Sequence, residues 1–345
     1  MKPADFHPSQ FAAGAKHTCT LDVETNAGVI SLPVLLARGA ASGQTLVATA
    51  GIHGDEYEGP RAIYETFAEL DPAQMSGSFL AVPVANPPAF WNVSRCNPID
   101  GDNLARAFSG RPGGNPTAAF AYALDQHIIA HADFFIDLHS AGVRYLMPTM
   151  AGYYLREERS RKAAMIFGAP VVWGHDSIAP GRTLSACLER GIPFLYTEAR
   201  GAGRIHPDDL RVFRRGLQNL LKHLRILPGL PEPGSEPVHL TGDGNVDEGD
   251  QAASDGFFIP NIDLLEAVRG GQEIGRMLDL EGRHQGSVRA SRSGVIGMLR
   301  MTPAVKAGDI LVVMAQRDCG AGMGEVKRIR RDNTALRGRP PASGF

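Results

Sequence analysis

Four short stretches of this chain carry side chains that could share one piece of chemistry. AGIHGDEYEGP holds His53 and Glu56 with two residues between them. On a turn leaving a strand, such a pair can converge on one ion. Zinc takes imidazole nitrogen and carboxylate oxygen, and a catalytic site keeps one position open for water. The competing reading is a surface histidine beside a helix-capping glutamate. FFIDLHSAG is apolar up to Asp137 and ends on His139. That histidine either reaches the same ion or is a half-buried ring satisfied by Asp137, which could also orient an imidazole from behind. In PFLYTEARGAGR, Glu198 follows an apolar run and precedes a glycine-rich turn. A carboxylate beside an activated water can take its proton and pass it to a leaving amine; the plainer reading is an exposed strand-end glutamate. SRCNPIDGDNLARAF offers Arg95, Asp100, Asn103 and Arg106 in a turn-rich loop. A guanidinium suits a substrate carboxylate or a developing oxyanion, unless these charges simply pair locally.

The elements around these stretches alternate. HTCTLDVET and GVISLPVLLARG read as strands divided at Asn26-Ala27-Gly28, and Thr45 to Ala50 reads as a buried strand turning at Gly51. PRAIYETFAEL has helical periodicity with Pro60 in its first turn. SGSFLAVPV is a strand that runs into a proline-stopped loop, NPPAF. TAAFAYALDQHIIAHA, SRKAAMIFGA, TLSACLERG and PDDLRVFRRGLQNLLKHLRIL read as helices. PVVWG and PFLYTEA are short strands. This alternation predicts an α/β domain with a mostly parallel or mixed sheet flanked by helices. Ligands of such sheets bind beyond the carboxyl ends of the strands. His53, His139 and Glu198 all fall at or just past such ends.

With 345 residues the chain is expected to form two domains. PGLPEPGSEP, 228–237, reads as the linker between a catalytic α/β domain over 1–227 and a β-rich domain over 238–330. The second part contains a repeat: SDGFFIPNIDLLEAVRGGQEIGRMLD against SRSGVIGMLRMTPAVKAGDILVVMA, aligning Val268 with Val305 and Gly271 with Gly308. It looks like the barrel-sandwich hybrid of biotinyl and lipoyl carriers but has no lysine motif for a covalent cofactor, which argues against a carrier. A structural or lid role is the expectation. The run GAGMGE lacks the ending of a phosphate-binding loop, and the polar end at 332–345 is expected to fray.

The chain has 35 basic and 37 acidic residues, which gives no electrostatic reason to expect nucleic acid or an anionic membrane. No apolar stretch approaches a membrane span or a signal peptide. Cys19, Cys96, Cys187 and Cys319 are scattered without a CxxC pair, as in reduced cytoplasmic proteins.

Taken in order, HGDE, NPPAF, RCNPIDGDNLARAF, DLHSAG and TEARGAG resemble the motifs of the succinylglutamate desuccinylase/aspartoacylase family, a branch of the zinc carboxypeptidase superfamily. The match runs from about Leu46 to Gly203, and the family also carries a trailing β-rich domain. The resemblance implies one zinc ion per chain held by His53, Glu56 and His139. It implies Glu198 as general base and acid, Arg95 polarising the scissile carbonyl and Arg106 gripping a substrate carboxylate. The implied reaction is hydrolysis of a small N-acylated amino acid, with a zinc carboxypeptidase or an esterase as alternatives. Two departures stand out. The family's Asn-Arg pair is Ala105-Arg106, with Asn103 as a substitute amide, and the TExGG turn carries Arg200 with Arg204 close by. These residues are expected to choose the substrate, away from N-acetylaspartate and succinylglutamate. A homo-oligomer is left open.

Overall fold

The computed structural model describes residues 1–318 apart from 243 and 245. Cys319, the GAGMGE run, the polar end and the expected second domain beyond 318 lie outside the described residues. The chain opens with a hairpin of β1 (Ala15–Thr25) and β2 (Gly28–Arg38), with Thr25 opposite Gly28. Then come β3 (Ala41–Ala50), α1 (Glu58–Glu69), β4 (Ser76–Val82), α2 (Pro87–Trp91), α3 (Pro116–His127) and β5 (Phe134–Ser140). A short β6 (Tyr145–Leu146) precedes β7 (Met150–Tyr154), α4 (Glu158–Phe167), β8 (Val171–His175), α5 (Thr183–Arg190), β9 (Phe194–Ala199) and α6 (Pro207–His223).

These strands form a mixed sheet in the order β1-β2-β4-β3-β5-β9-β7-β8. At its centre β3, β5 and β9 run parallel, while β7 returns antiparallel to β9. Both faces are covered, which explains the continuous apolar runs. Leu46, Ala48, Phe134 and Ile136 face a core with Ile63 of α1, Phe167 of α4 and Leu217 of α6. The alternate residues Val47 and Phe135 face Phe120 of α3 and Leu184 of α5. The fold is the mixed α/β class that the alternation implies.

Three local differences have physical reasons. NPPAF forms the one-turn-and-a-half α2 rather than a loop, because Asn86 Oδ1 caps it by accepting from the Ala89 amide and a proline opens it. The helix expected through His131 ends at His127, where Ile128 leaves helical geometry at φ −123°, ψ −62°. MAGYY, without a β-branched residue, nevertheless forms β7, because β8 and β9 offer it backbone partners on both sides.

The C-terminal region is β-rich: β10 (Val238–Thr241), β11 (Asp250–Gln251), β12 (Gly256–Pro260), β13 (Ala267–Val268), β14 (Glu273–Leu278), β15 (His284–Arg289), β16 (Gly294–Arg300), β17 (Ala304–Val305) and β18 (Ile310–Arg317). The repeat noted in the sequence pairs reciprocally: Gly256 of β12 sits opposite Val305 of β17, and Gly294 of β16 opposite Val268 of β13. β10 lies parallel to β8 and antiparallel to β18, so the sheet runs on from the α/β part into this region. The seam is apolar. Trp173 is buried against Val295, Met298 and Val313, and Gly297 leaves it room, since a Cβ there would lie 2.7 Å from Trp173 Cη2. Among the described residues no helix is long and apolar enough to cross a membrane.

Candidate active site

His53 lies three residues past the end of β3, while His139 and Glu198 are the penultimate residues of β5 and β9 and face each other in register. The chain leaves β3 through Gly51 at φ 60°, a conformation that favours glycine. The next glycine of the motif, Gly54, is packed against α2: a Cβ would lie 1.9 Å from the Ala89 carbonyl carbon. The turn thus carries His53 back over the sheet end, and Glu56 follows.

There the three side chains meet. His53 Nδ1 is 2.6 Å from Glu56 Oε1, and His139 Nδ1 is 2.9 Å from Glu56 Oε2. The outer nitrogens settle the tautomers. Asn103 Oδ1 accepts the Ala105 amide at 2.9 Å, so it is the oxygen, and His53 Nε2 donates to it at 3.1 Å. Asp137 accepts from Thr49 and Thr183 at 2.7 and 2.5 Å, and its Oδ2 lies 3.0 Å from His139 Nε2. With Nε2 carrying the hydrogen in each ring, both Nδ1 lone pairs point at carboxylate oxygens. Such an arrangement calls for a cation between them. One ligand atom from each of His53, Glu56 and His139 lies within 4.8 Å of the others, and imidazole plus carboxylate is a zinc-type donor set. These residues fit the ion that the sequence reading expects.

The same preference for positive charge shows in the ionisation of the cluster. Burial opposes charge on His139, but Asp137 and Glu56 outweigh it and raise its pKa well above that of an ordinary imidazole. Burial, then the nearby Arg95 guanidinium, holds His53 down to about 4. Burial also opposes ionisation of Glu56, yet the two rings keep its pKa below the usual carboxylate range. Glu198 behaves differently. Burial first, and Glu56 next, push its pKa up to about 8, and its Oε2 is shielded from solvent with no hydrogen-bond partner among the described residues.

The cluster and Glu198 floor a cavity of about 260 Å³, and a second one of about 460 Å³ adjoins it. Arg95 and Glu198 line both. Arg95 Nη1 is 3.3 Å from His53 Nδ1 and 3.5 Å from Glu56 Oε1. Arg106 lines the smaller cavity and is ion-paired with Asp247. Asn103 does not line either cavity; its carbonyl is spent on His53 and the Ala105 amide. The two residues expected to mark a private specificity are turned away. Arg200 pairs with Asp209 at the start of α6 through its backbone and its guanidinium, and exposed Arg204 bonds half-buried His206. Neither lines these cavities.

Other residues take that place. Arg182, at the start of α5, lines the smaller cavity with its Nε buried and unpartnered among the described residues. Burial and Arg106 together lower its basicity, a sign of dense positive charge. Tyr196 stands two residues before Glu198 on β9, hence on the same face, and its hydroxyl lies 2.8 Å from His175 Nε2. That period-two spacing in PFLYTEA is a signal from which Tyr196 could have been found. Arg182 and His175 left no such mark. Gly152 makes room for the tyrosine ring: a Cβ there would lie 1.9 Å from Tyr196 Cε1.

Fold and site together place a His-Glu-His group able to hold a metal at the carboxyl ends of a mixed sheet. The chain belongs to the succinylglutamate desuccinylase/aspartoacylase family, whose catalytic domain matches residues 42–224. It is 30% identical over 297 residues to the N-alpha-acetyl-L-2,4-diaminobutyric acid deacetylase of Halomonas elongata, covering 84% of this chain and 86% of that one. The product-bound structure of the ectoine utilization protein EutE (DoeB) from Ruegeria pomeroyi is 29% identical with a TM-score of 0.81, covering 89% of this chain and 96% of that one. A succinylglutamate desuccinylase from Silicibacter sp. TM1040 is 29% identical with a TM-score of 0.80, covering 88% and 95%. The family is one of deacylases, enzymes that hydrolyse amide bonds.

Proposed function

We propose that this chain is a zinc-dependent deacylase that hydrolyses the amide of a small N-acylated amino acid. The observation that carries the reading is the meeting of the His53 and His139 Nδ1 atoms with the Glu56 carboxylate, beside the unpartnered Glu198 oxygen and an arginine-lined cavity. His53, Glu56 and His139 would hold the ion. Bound there, zinc supplies a Lewis acid that acidifies water and polarises a carbonyl. Asn103 and Asp137 orient the two rings from behind. Glu198 takes the proton of the attacking water and hands it to the leaving amine. Arg95 stands where it can stabilise the oxyanion, and Arg106 with Arg182 holds the substrate carboxylate.

The name of the Halomonas relative supports an acetyl group on an α-amino acid. The division into a catalytic domain over 1–227 and a β-rich domain over 238–330 belongs to this reading and is supported by a separate apolar core around Phe258, Ile274 and Leu311. A cytoplasmic setting is supported by the free thiols of Cys19, Cys96 and Cys187. The deciding experiment is a screen of N-acetyl, N-formyl and N-succinyl amino acids on zinc-loaded protein, with peptides and acyl esters alongside. Release of the free amino acid is expected. Cleavage of peptides alone would mark a carboxypeptidase, and cleavage of esters alone an esterase.

A further inference from the structure

Resting on the deacylase reading, we propose that Asp247 fills one carboxylate seat of the arginine cluster. The enzyme thereby turns away N-acyl amino acids with a second carboxylate and takes those whose side chain is neutral or cationic.

The geometry is that of a carboxylate already bound. Arg106 Nε and Nη2 both donate to Asp247 Oδ2, at 3.2 and 2.6 Å, and Nη1 donates to the Ala105 carbonyl at 3.0 Å. A guanidinium has five N–H donors. Three are engaged, and those left, one on each terminal nitrogen, suffice for a single substrate carboxylate. The side-on pair that would take a second is filled from within the chain.

Asp247 is placed there by the fold. It belongs to the stretch between β10 and β11, which crosses from the C-terminal region to the cavity. His175 Nδ1 donates to the Gly242 carbonyl at 2.8 Å, and Gly244 lies so close to that ring that a Cβ would be 2.3 Å from His175 Cε1. Gly242 and Gly244 are thus seated on the end of β8, and Asp247 follows them to reach Arg106. Burial works against charge on Asp247, but Arg106, and behind it Arg182 and Arg95, outweigh that and hold its pKa below the usual range. The Asp247 side chain is 58% exposed, so its direct contacts with Arg106 are what seat it.

The charges agree with the geometry. Glu248 follows Asp247 and lines the smaller cavity. Arg106 is ion-paired with Asp247, and Glu248 adds a second acid to the cavity lining. A substrate with one carboxylate meets an open guanidinium edge. A second carboxylate meets two acids, and like charges in contact cost strongly. An ammonium on the side chain meets the same acids favourably.

The test compares four N-acetyl amino acids on the zinc-loaded full chain: aspartate, glutamate, norvaline and 2,4-diaminobutyrate. Asp247→Asn is expected to raise kcat/KM for the two dicarboxylates relative to norvaline by about tenfold or more, through KM, and to lower it for diaminobutyrate. Asp247→Glu should keep the wild-type ranking. An equal loss on all four in Asp247→Asn, or an unchanged ranking, would overturn the proposal and leave Asp247 a structural tether. Calorimetric titration of the same four compounds separates this from the reaction itself. If the wild type hydrolyses neither these nor the N-formyl and N-succinyl amino acids, the deacylase reading fails. A reversed affinity order in Asp247→Asn would then still support the charge filter, and an unchanged order would remove it.

Discussion

One wall of the cavity hangs from three adjacent parallel strands, whereas the second is assembled from the start of α5, the end of β8 and a stretch that arrives from beyond residue 240, with Tyr196 of β9 tied to it through His175. On the first wall each histidine has a partner that fixes its direction, Asn103 behind His53, and Asp137, itself held by Thr49 and Thr183, behind His139, while Glu198 keeps an oxygen without a partner among the described residues. On the second the groups hold one another across long sequence separations, Arg106 to Asp247 and His175 to Tyr196 and Gly242. The lesson is a division between chemistry and choice. Groups that must sit within tenths of an ångström of a reacting atom are carried by the rigid sheet. Groups that only need to accept or refuse a substrate are carried by loops and inter-region contacts, which can vary without disturbing the reaction.

The sharpest way to break that division is at Glu198. Glu198→Gln should bind metal as the wild type does, by elemental analysis, yet lose at least about 10³-fold in kcat. Residual activity near wild type would move the base elsewhere. His53→Ala should lose the metal itself. Asn103→Ala, which touches no metal, should weaken metal affinity about 10- to 100-fold in competition with a chelator; an unchanged affinity would make Asn103 part of the choosing wall. On that wall Arg182→Met should raise KM by about 10- to 100-fold, the worth of a charged hydrogen bond, with kcat nearly intact. A matching fall in kcat would blur the two walls.

The smallest effect is a pH dependence. The carboxyl of Glu198 is raised from 4.5 to about 8 on folding. In that window the folded chain binds more protons than the unfolded one, so this group makes stability fall as pH rises from 4.5 and level off above 8. In chelator-treated protein, Glu198→Gln should therefore melt higher than wild type at pH 8, by about 3 °C or more, with the gap closing toward pH 5. A gap of equal size at both values would place the strain elsewhere.

Much of the first wall was legible because its groups are local in sequence. An apolar run ending in a histidine or a glutamate names a strand end, and parallel strands bring such ends together. HGDE, with the turn at Gly51 before it, was legible for the same reason, whereas the close packing of Gly54 on α2 shows only in the structure. The second wall was only partly legible. Tyr196 shares a strand face with Glu198, but Arg182 and His175 sit in ordinary-looking loops and strand ends. Arg200 and Arg204 looked like specificity residues because they follow Glu198 directly, and the chain turns them away within two residues. β7 was hidden by its composition, since its partners rather than its own residues make it a strand.

The sequence by itself determined the α/β class, the strand ends and the residue types able to hold a metal, because periodicity and turn chemistry act over a few residues. Only the tertiary structure decided that Asn103 serves His53, that Arg182 joins the cavity and that Asp247 lies on Arg106. Those contacts join residues from 50 to 141 positions apart, or depend on which way a loop folds back, and no local pattern records them.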